Sequence, residues 1–373
     1  SANSYDITVR AGDAQGTECD FVVPQFNDGF FGYRVGATLS YRPDEDSLVS
    51  ARGFGTGFVD DLQHGVILAV PLAGEATSGE DTAGGLVRAE LPALTPWLGF
   101  DAWAALSRRD VRIRDVSTNV YNVFGEITSR DSSPGELTDG IDSQVRDVEL
   151  VGRANLEARM SDEHSLLLGL TPSHLRRTGQ IATASDDVAE LSELVAGLEW
   201  TGQWWEDRVE TSVFSKLYFQ AASTPSALAG VERQRVSRSG LDPGVGAVID
   251  LALGRSASVN LSYEWATRLP DADEIFGDGI LVQSNPELRP ERSHNANLLF
   301  GLDDLSLGGV RIGGELGGFV RDAKDLIFTQ VGEPFAVNRN IGGALFYGLS
   351  SSLDASLFAS HLDVFTSLTW ERG

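Results

Sequence analysis

Residues 257–265 read Ala-Ser-Val-Asn-Leu-Ser-Tyr-Glu-Trp, and every second side chain is apolar. Ala257, Val259, Leu261, Tyr263 and Trp265 take the odd positions, while Ser256, Ser258, Asn260, Ser262 and Glu264 take the even ones. Successive strand side chains point to opposite faces, so one face of such a strand suits hydrocarbon and the other suits water. Similar segments of roughly ten to fourteen residues recur along the chain. A strand crossing a bilayer at a tilt needs about 9–11 residues, whereas soluble strands average about 5–6.

On either side of this stretch the scheme repeats. Phe31, Tyr33, Val35, Ala37, Leu39 and Tyr41 oppose Arg34, Thr38, Ser40 and Arg42. Val148, Leu150, Ala154, Leu156 and Ala158 oppose Glu149, Arg153, Asn155, Glu157 and Arg159. Residues 209–220 place Glu210, Lys216 and Gln220 on the polar side. Val310, Ile312, Leu316 and Val320 alternate with Arg311, Glu315 and Arg321, and Leu362, Val364, Leu368 and Trp370 continue the scheme. The side chains predicted to face a lumen are Arg34, Arg153, Glu157, Glu210, Lys216, Glu264, Arg311, Glu315 and Arg321. They are expected to meet water, one another or a plug, and none is read as catalytic.

Short turns are predicted near 44–47, 161–163, 205–207, 254–256, 303–306 and 351–354. Between them lie long Gly/Asp/Ser-rich stretches near 12–29, 60–82, 114–144, 178–190, 222–241, 269–290 and 322–338. This alternation suits a barrel with small turns on one side and large external loops on the other. The predicted fold class is all-β, an antiparallel transmembrane β-barrel over residues 1–373 with about fifteen strands. Phe30, Phe31, Trp97, Trp204, Trp205, Tyr263, Trp265 and Trp370 are expected to form interfacial aromatic girdles.

Composition narrows the function. No run of about 18 apolar residues occurs, so a transmembrane helix is not expected. A mean hydropathy close to zero is compatible with a membrane wall whose strands are half polar. The formal net charge of -25 argues against nucleic acid and against tight binding to an anionic surface. The single cysteine, Cys19, rules out a disulfide within the chain and a multi-cysteine metal site. His64, His164, His174, His294 and His361 are scattered, and no metal spacing, Walker loop, dinucleotide fingerprint or nucleophile elbow stands out. The acidic clusters at 44–46, 60–61, 186–187 and 271–274 read as solvated loop charge. No catalytic residue, metal or cofactor is expected.

One passage is more specific than the pattern. "YEWATRLPDADEIFGDG" (263–279) leads into "NPELRPERSHNANLLFGL" (285–302). It resembles the barrel of TonB-dependent outer-membrane receptors, through Arg268, Leu269, Pro270, Glu274, Phe276, Asn285, Pro286, Leu288, Pro290 and Glu291. A later strand, "NRNIGGALFYGL", resembles the same family through Asn340, Gly342, Ala344, Tyr347 and Gly348. Without the family, Pro270, Pro286 and Pro290 belong in a loop or at strand starts, because proline cannot donate to a ladder. These residues are read as shaping a loop rather than binding substrate.

The resemblance implies a twenty-two-stranded barrel, with a plug domain in its lumen and a TonB-type energy-coupling protein as partner. An odd count of about fifteen strands cannot close with every edge paired. The chain is therefore expected to be part of a larger barrel, with plug and further strands carried elsewhere. The resemblance further implies a receptor in the bacterial outer membrane, surrounded by lipid. It would import a scarce ligand such as an iron chelate, cobalamin or a glycan. The competing readings are a structural scaffold barrel in an envelope complex, a passive porin, and a soluble all-β protein.

Overall fold

Segments whose side chains alternate so regularly need hydrogen-bonded neighbours on both sides, and the computed structural model supplies them. It describes residues 6–10, 20–24, 29–61, 75–121, 127–129, 141–180, 187–225, 235–277, 282–332, 336–357 and 361–373. Fourteen strands form one antiparallel sheet in which every strand pairs with its neighbours in sequence. They are β1 (Phe30–Tyr41), β2 (Leu48–Asp61), β3 (Thr77–Thr95), β4 (Leu98–Asp115), β5 (Ile141–Arg159), β6 (His164–Gln180) and β7 (Asp187–Trp204). The wall continues with β8 (Val209–Pro225), β9 (Arg235–Ala252), β10 (Ala257–Arg268), β11 (Glu291–Leu307), β12 (Val310–Lys324), β13 (Gly343–Leu357) and β14 (Leu362–Arg372). No helix among the described residues is long and apolar enough to cross a membrane.

The register carries one face through the whole sheet. Leu39 pairs with Ala51, Ala51 with Val87, Val87 with Ala104 and Ala104 with Gly152. On that face Leu39, Val87, Leu106, Leu150, Leu241, Leu298, Leu316, Leu349 and Leu368 are all at least half exposed. A soluble protein buries such a surface; a membrane wall presents it to hydrocarbon. The opposite face carries ion pairs, among them Lys216–Glu264 at 2.8 Å and Arg109–Glu80 at 2.7 Å.

Several expectations are corrected. Among the described residues the wall holds fourteen strands, against about fifteen expected, and β3 and β5 reach 19 residues each. Pairing thus runs beyond the apolar segments into stretches that looked like loops, because ladder hydrogen bonds do not require apolar side chains. The turn expected at 303–306 lies inside β11, where the register shifts between Leu302 and Leu305. The reversal is made instead by Gly308 and Gly309, with φ of 58° and 89°. A two-residue hairpin turn with positive φ at both positions favours glycine. The turn expected at 351–354 is also strand: Ser352 pairs with Glu315 on one side and Ser367 on the other. Two neighbouring strands override the turn preference of serine.

Inside the expected loop 12–29, Asp20–Pro24 pairs with Asp6–Arg10, and Cys19 lies outside the described residues. Phe30, assigned to a girdle, shares the polar face with Phe58, on which it stacks at 6.1 Å. It precedes Phe31 by one position, and period two sends the pair to opposite faces. Trp204 meets His164 at 5.0 Å, and Tyr347 meets Trp370 at 5.8 Å, all on the apolar face.

Gly348 shows why the later motif needs a glycine. An added Cβ there would lie 2.6 Å from Phe319 Cε1 and 2.6 Å from the Trp370 carbonyl oxygen. The ring can turn aside but the backbone carbonyl cannot. Gly348→Ala is expected to destabilise β12–β14 by about 1–3 kcal/mol, read as a lower unfolding temperature of the detergent-solubilised protein.

Candidate functional site

The passage between β10 and β11 carries its own folding instructions. Asp271 follows Pro270 and precedes Glu274 by three positions, which is the spacing of a capping box. Helix α1 (Ala272–Phe276) starts there: the Asp271 carboxylate accepts from Glu274 N at 2.8 Å and Glu274 Oε2 accepts from Asp271 N at 2.9 Å. Gly277, with φ of 69°, ends it. So short a helix does not persist alone, and packing holds it. Ile275, Phe276 and Leu288 are buried against Ala189 and Leu191 of β7 and Ala222 of β8. These wall residues belong to the otherwise polar face, so the loop folds inward and covers an apolar patch there.

Polar pins surround that core. Arg177 of β6 donates from Nε and Nη2 to the two Asp147 oxygens, both at 2.8 Å. Its Nη2 also reaches Asp273 Oδ1 at 2.6 Å, and its Nη1 reaches the Gly277 carbonyl at 3.0 Å. The Arg177 side chain is 11% exposed and Asp147 is 9% exposed. Gln220 of β8 donates to the Pro270 carbonyl at 2.7 Å. Arg238 of β9 donates to the carbonyls of Glu287, at 2.9 Å, and Leu288.

The motif residues close the structure from within. Arg268 forks onto both Glu274 oxygens and onto Glu291, which also accepts from Ile327 N at 2.8 Å. A second loop joins in. Ile327–Val331 pairs antiparallel with Ala336–Asn340, and Val282–Gln283 runs parallel to its edge. Asn285 donates to the Asn338 carbonyl at 2.7 Å, and Asn338 Nδ2 donates to the Glu274 carbonyl at 3.1 Å. Asn340 donates to the carbonyls of Arg289 and Asp325 and accepts from Arg289 N. The loops after β10 and β12 are therefore one body. Asn338→Leu, which keeps the volume and removes the side-chain bonds, is expected to cost about 2–3 kcal/mol of that association. Faster amide exchange at residues 282–288 with unchanged exchange in β6–β9 would show it.

Two adjoining cavities lie between this body and the wall. One, of about 480 Å³, is lined by Thr82, Ser107, Glu149, Ser173, Glu193 and Asp271 among others. The other, of about 370 Å³, reaches Val111, Val145, Val282, Thr329 and Asn338. Arg109, Asp147, Arg177, Asp271 and Asp273 border both. The charged side chains of the lining are of mixed sign, with Arg109 and Arg177 beside Asp147 and Asp273, and Val111, Val145 and Val282 make the second cavity more apolar than the first. Among the described residues no three His, Cys, Asp or Glu side chains converge as metal ligands.

Of the motif residues, Arg268, Pro270, Glu274, Phe276, Asn285, Leu288, Glu291 and Asn340 are brought together here. Leu269 lies between them, and Pro286 turns the chain after Asn285, with Pro290 ahead of β11. Gly342, Tyr347 and Gly348 lie outside the loop body, at and within β13. The nine side chains expected inside a lumen fall on one sheet face by register, through pairs such as Lys216 with Gly244, Gly246 with Glu264 and Glu315 with Ser352. They do not form one cluster: Lys216 meets Glu264, while Glu157 lies 3.6 Å from Arg159 and Arg321 lies 3.8 Å from Glu291, partners outside the nine. Sequence alternation puts Gln220 on the polar face but gives it no partner, and it does not single out Arg177, Asp147, Arg238 or Asn338. Each sits many residues from its loop partner, and no local pattern marks it.

A family model described as TonB dependent receptor-like, beta-barrel matches residues 95–373. Among curated proteins none matches the sequence. Of solved structures, the copper transporter OprC superposes with a TM-score of 0.71 at 14% identity, over 94% of this chain and 55% of its own. A double mutant of the Serratia marcescens hemophore receptor HasR, in complex with its hemophore HasA and heme, gives 0.65 at 12% identity, over 92% and 54%. The FrpB iron transporter from Neisseria meningitidis gives 0.63 at 12% identity, over 98% and 56%. The chain spans about half the length of these structures.

Proposed function

The chain belongs to the TonB-dependent receptor β-barrel family, and on that premise we propose that residues 1–373 form part of the wall of an outer-membrane importer. The family match over residues 95–373 is the observation that carries this. The wall's apolar face would contact outer-membrane lipid and its polar face would line the lumen. A plug domain or further strands and a TonB-type energy-coupling protein complete the proposed partners. The cargo is a scarce ligand of the class of iron chelates, cobalamin or glycans, and the protein binds and passes it without altering it.

The nine polar-face side chains keep the path hydrated. Some of their charges are matched by neighbours, Lys216 by Glu264, Glu157 by Arg159 and Arg321 by Glu291. The loop body narrows the external mouth, where Arg177, Gln220 and Arg238 hold it against the wall. A ligand would meet it before the lumen.

The test compares uptake of labelled ferric chelates, cobalamin and oligosaccharides by cells carrying or lacking the full gene, each with and without a functional TonB complex. Loss of energised uptake of one ligand in both deletions is expected. Ion conductance in planar bilayers with no dependence on TonB would instead identify a porin. A fixed set of co-purifying envelope proteins with no uptake defect would identify a scaffold.

A further inference from the structure

The apolar face stops short of the ends of the longest strands, and the stretch beyond it is charged. On β4 it runs through Phe100, Ala102, Ala104 and Leu106, and then the same face presents Arg108, Asp110, Arg112 and Arg114. On β5 Arg146 precedes Val148 and Leu150, and on β6 Arg176 follows the apolar positions Leu166, Leu168 and Leu170. Register brings these together. Val148 is the Cα partner of Arg108 on one side and of Arg176 on the other, and Arg146 pairs with Asp110. Five arginines and two aspartates, Asp110 and Asp142, thus occupy the outward face of three adjacent strands in a chain whose net charge is -25.

Asp142 takes Arg112 on both its oxygens, but the cationic ends of Arg108 and Arg146 stay available. Asp110 takes Arg108 Nε on one oxygen and Arg146 Nε on the other, both at 2.6 Å. One carboxylate therefore sets two guanidinium groups side by side. Their Nη atoms make no hydrogen bond among the described residues, and the two side chains are 54% and 42% exposed. Arg176 is exposed beside them. Asp81 and Glu190 flank the patch, the first occupied by the Tyr33 hydroxyl at 2.8 Å.

We propose that this outward arginine patch binds the phosphate groups of an anionic lipid in the leaflet on the long-loop side. Paired guanidinium forks match phosphate oxygens. The patch is continuous with the apolar face, so a lipid lying on Leu106 and Leu150 brings its headgroup to the arginines. Charges farther away than the screening length, about 8 Å at physiological salt, are largely screened at the patch, so the net charge of the whole chain has little say there. At contact the local arginines decide.

The test uses the intact receptor in dodecyl maltoside, titrated separately with diphosphoryl lipid A, phosphatidylcholine and inorganic phosphate, and followed by native mass spectrometry and thermal unfolding. Lipid A is expected to bind and to raise the unfolding temperature, phosphatidylcholine to do neither, and inorganic phosphate to leave bound lipid A in place. The triple variant R108Q/R146Q/R176Q is expected to bind lipid A about tenfold more weakly, with the lysine triple between it and wild type. Wild-type binding of lipid A no tighter than of phosphatidylcholine would overturn the proposal. So would full lipid A binding by a folded glutamine triple, or displacement of lipid A by inorganic phosphate, which would mark a free-anion site. If the triple does not fold, the wild-type lipid comparison and the single variant Arg176→Gln decide. No transported ligand enters these measurements, so a failed import reading would leave their outcome intact.

Discussion

Arg177→Met is expected to release α1 from the wall while leaving the fourteen strands paired. The methionine retains most of the aliphatic packing but removes four hydrogen bonds, two to Asp147, one to Asp273 and one to the Gly277 carbonyl. Asp147 is then a nearly buried carboxylate without its cation. Breaking a buried pair from one side costs about 3–5 kcal/mol. Amide exchange at Ile275 and Asn285, whose N–H groups bond to Asp271 and Ile275 carbonyls, should rise by roughly two to four orders of magnitude if the whole cost falls on loop docking. Adding Asp147→Leu should recover wall stability, since the unpaired charge is gone. The loop should stay loose, because Asp273 and Gly277 still lack their donor. Protection at Ile275 that survives Arg177→Met would show that the arginine does not hold the helix.

Ile275→Asp is the second large expected effect, through the apolar side of the same body. Ile275 is 2% exposed and Leu288 3% exposed, packed with Phe276 on Ala189, Leu191 and Ala222. A carboxylate in that apolar cluster must protonate or leave, at a cost of several kcal/mol. The loop should leave the wall. Limited proteolysis between residues 272 and 290 by protease added from outside should become rapid, while the strands of the wall are expected to stay uncleaved. Ile275→Val, at about 0.5–1.5 kcal/mol, should stay protected. Equal cleavage of wild type and Ile275→Asp would remove the docked loop from consideration as a mouth constriction.

Both effects fall on a structure only partly legible in the sequence. The acidic run 271–274 reads in sequence as solvated loop charge, whereas Asp271 and Glu274 cap α1, each acting on a backbone group three residues away. Pro270, Pro286 and Pro290 marked a loop for an equally local reason. What the loop docks against was not readable: Arg177 meets Asp273 across 96 positions and Asn338 meets Glu274 across 64. The strand ends were under-read on β3 to β9 for a related reason. The stretch from 114 onward lies in an expected loop and continues no apolar stripe, yet β4 stays paired with β5 as far as Asp115 with Ile141. Serines 350 to 352 likewise look like a turn until β12 and β14 are placed beside them.

Alternation alone was enough to dictate the class of fold and, strand by strand, which side chains share a face. It is a steric property of each extended residue and its neighbours, so nine residues such as 257–265 suffice to show it. Long-range packing settled that the passage from Arg268 to Glu291 folds onto the polar face, and that Asp110 gathers Arg108 and Arg146 from different strands. Those outcomes depend on register and on contacts between distant segments, where the loss of chain entropy is offset only when many groups meet at once.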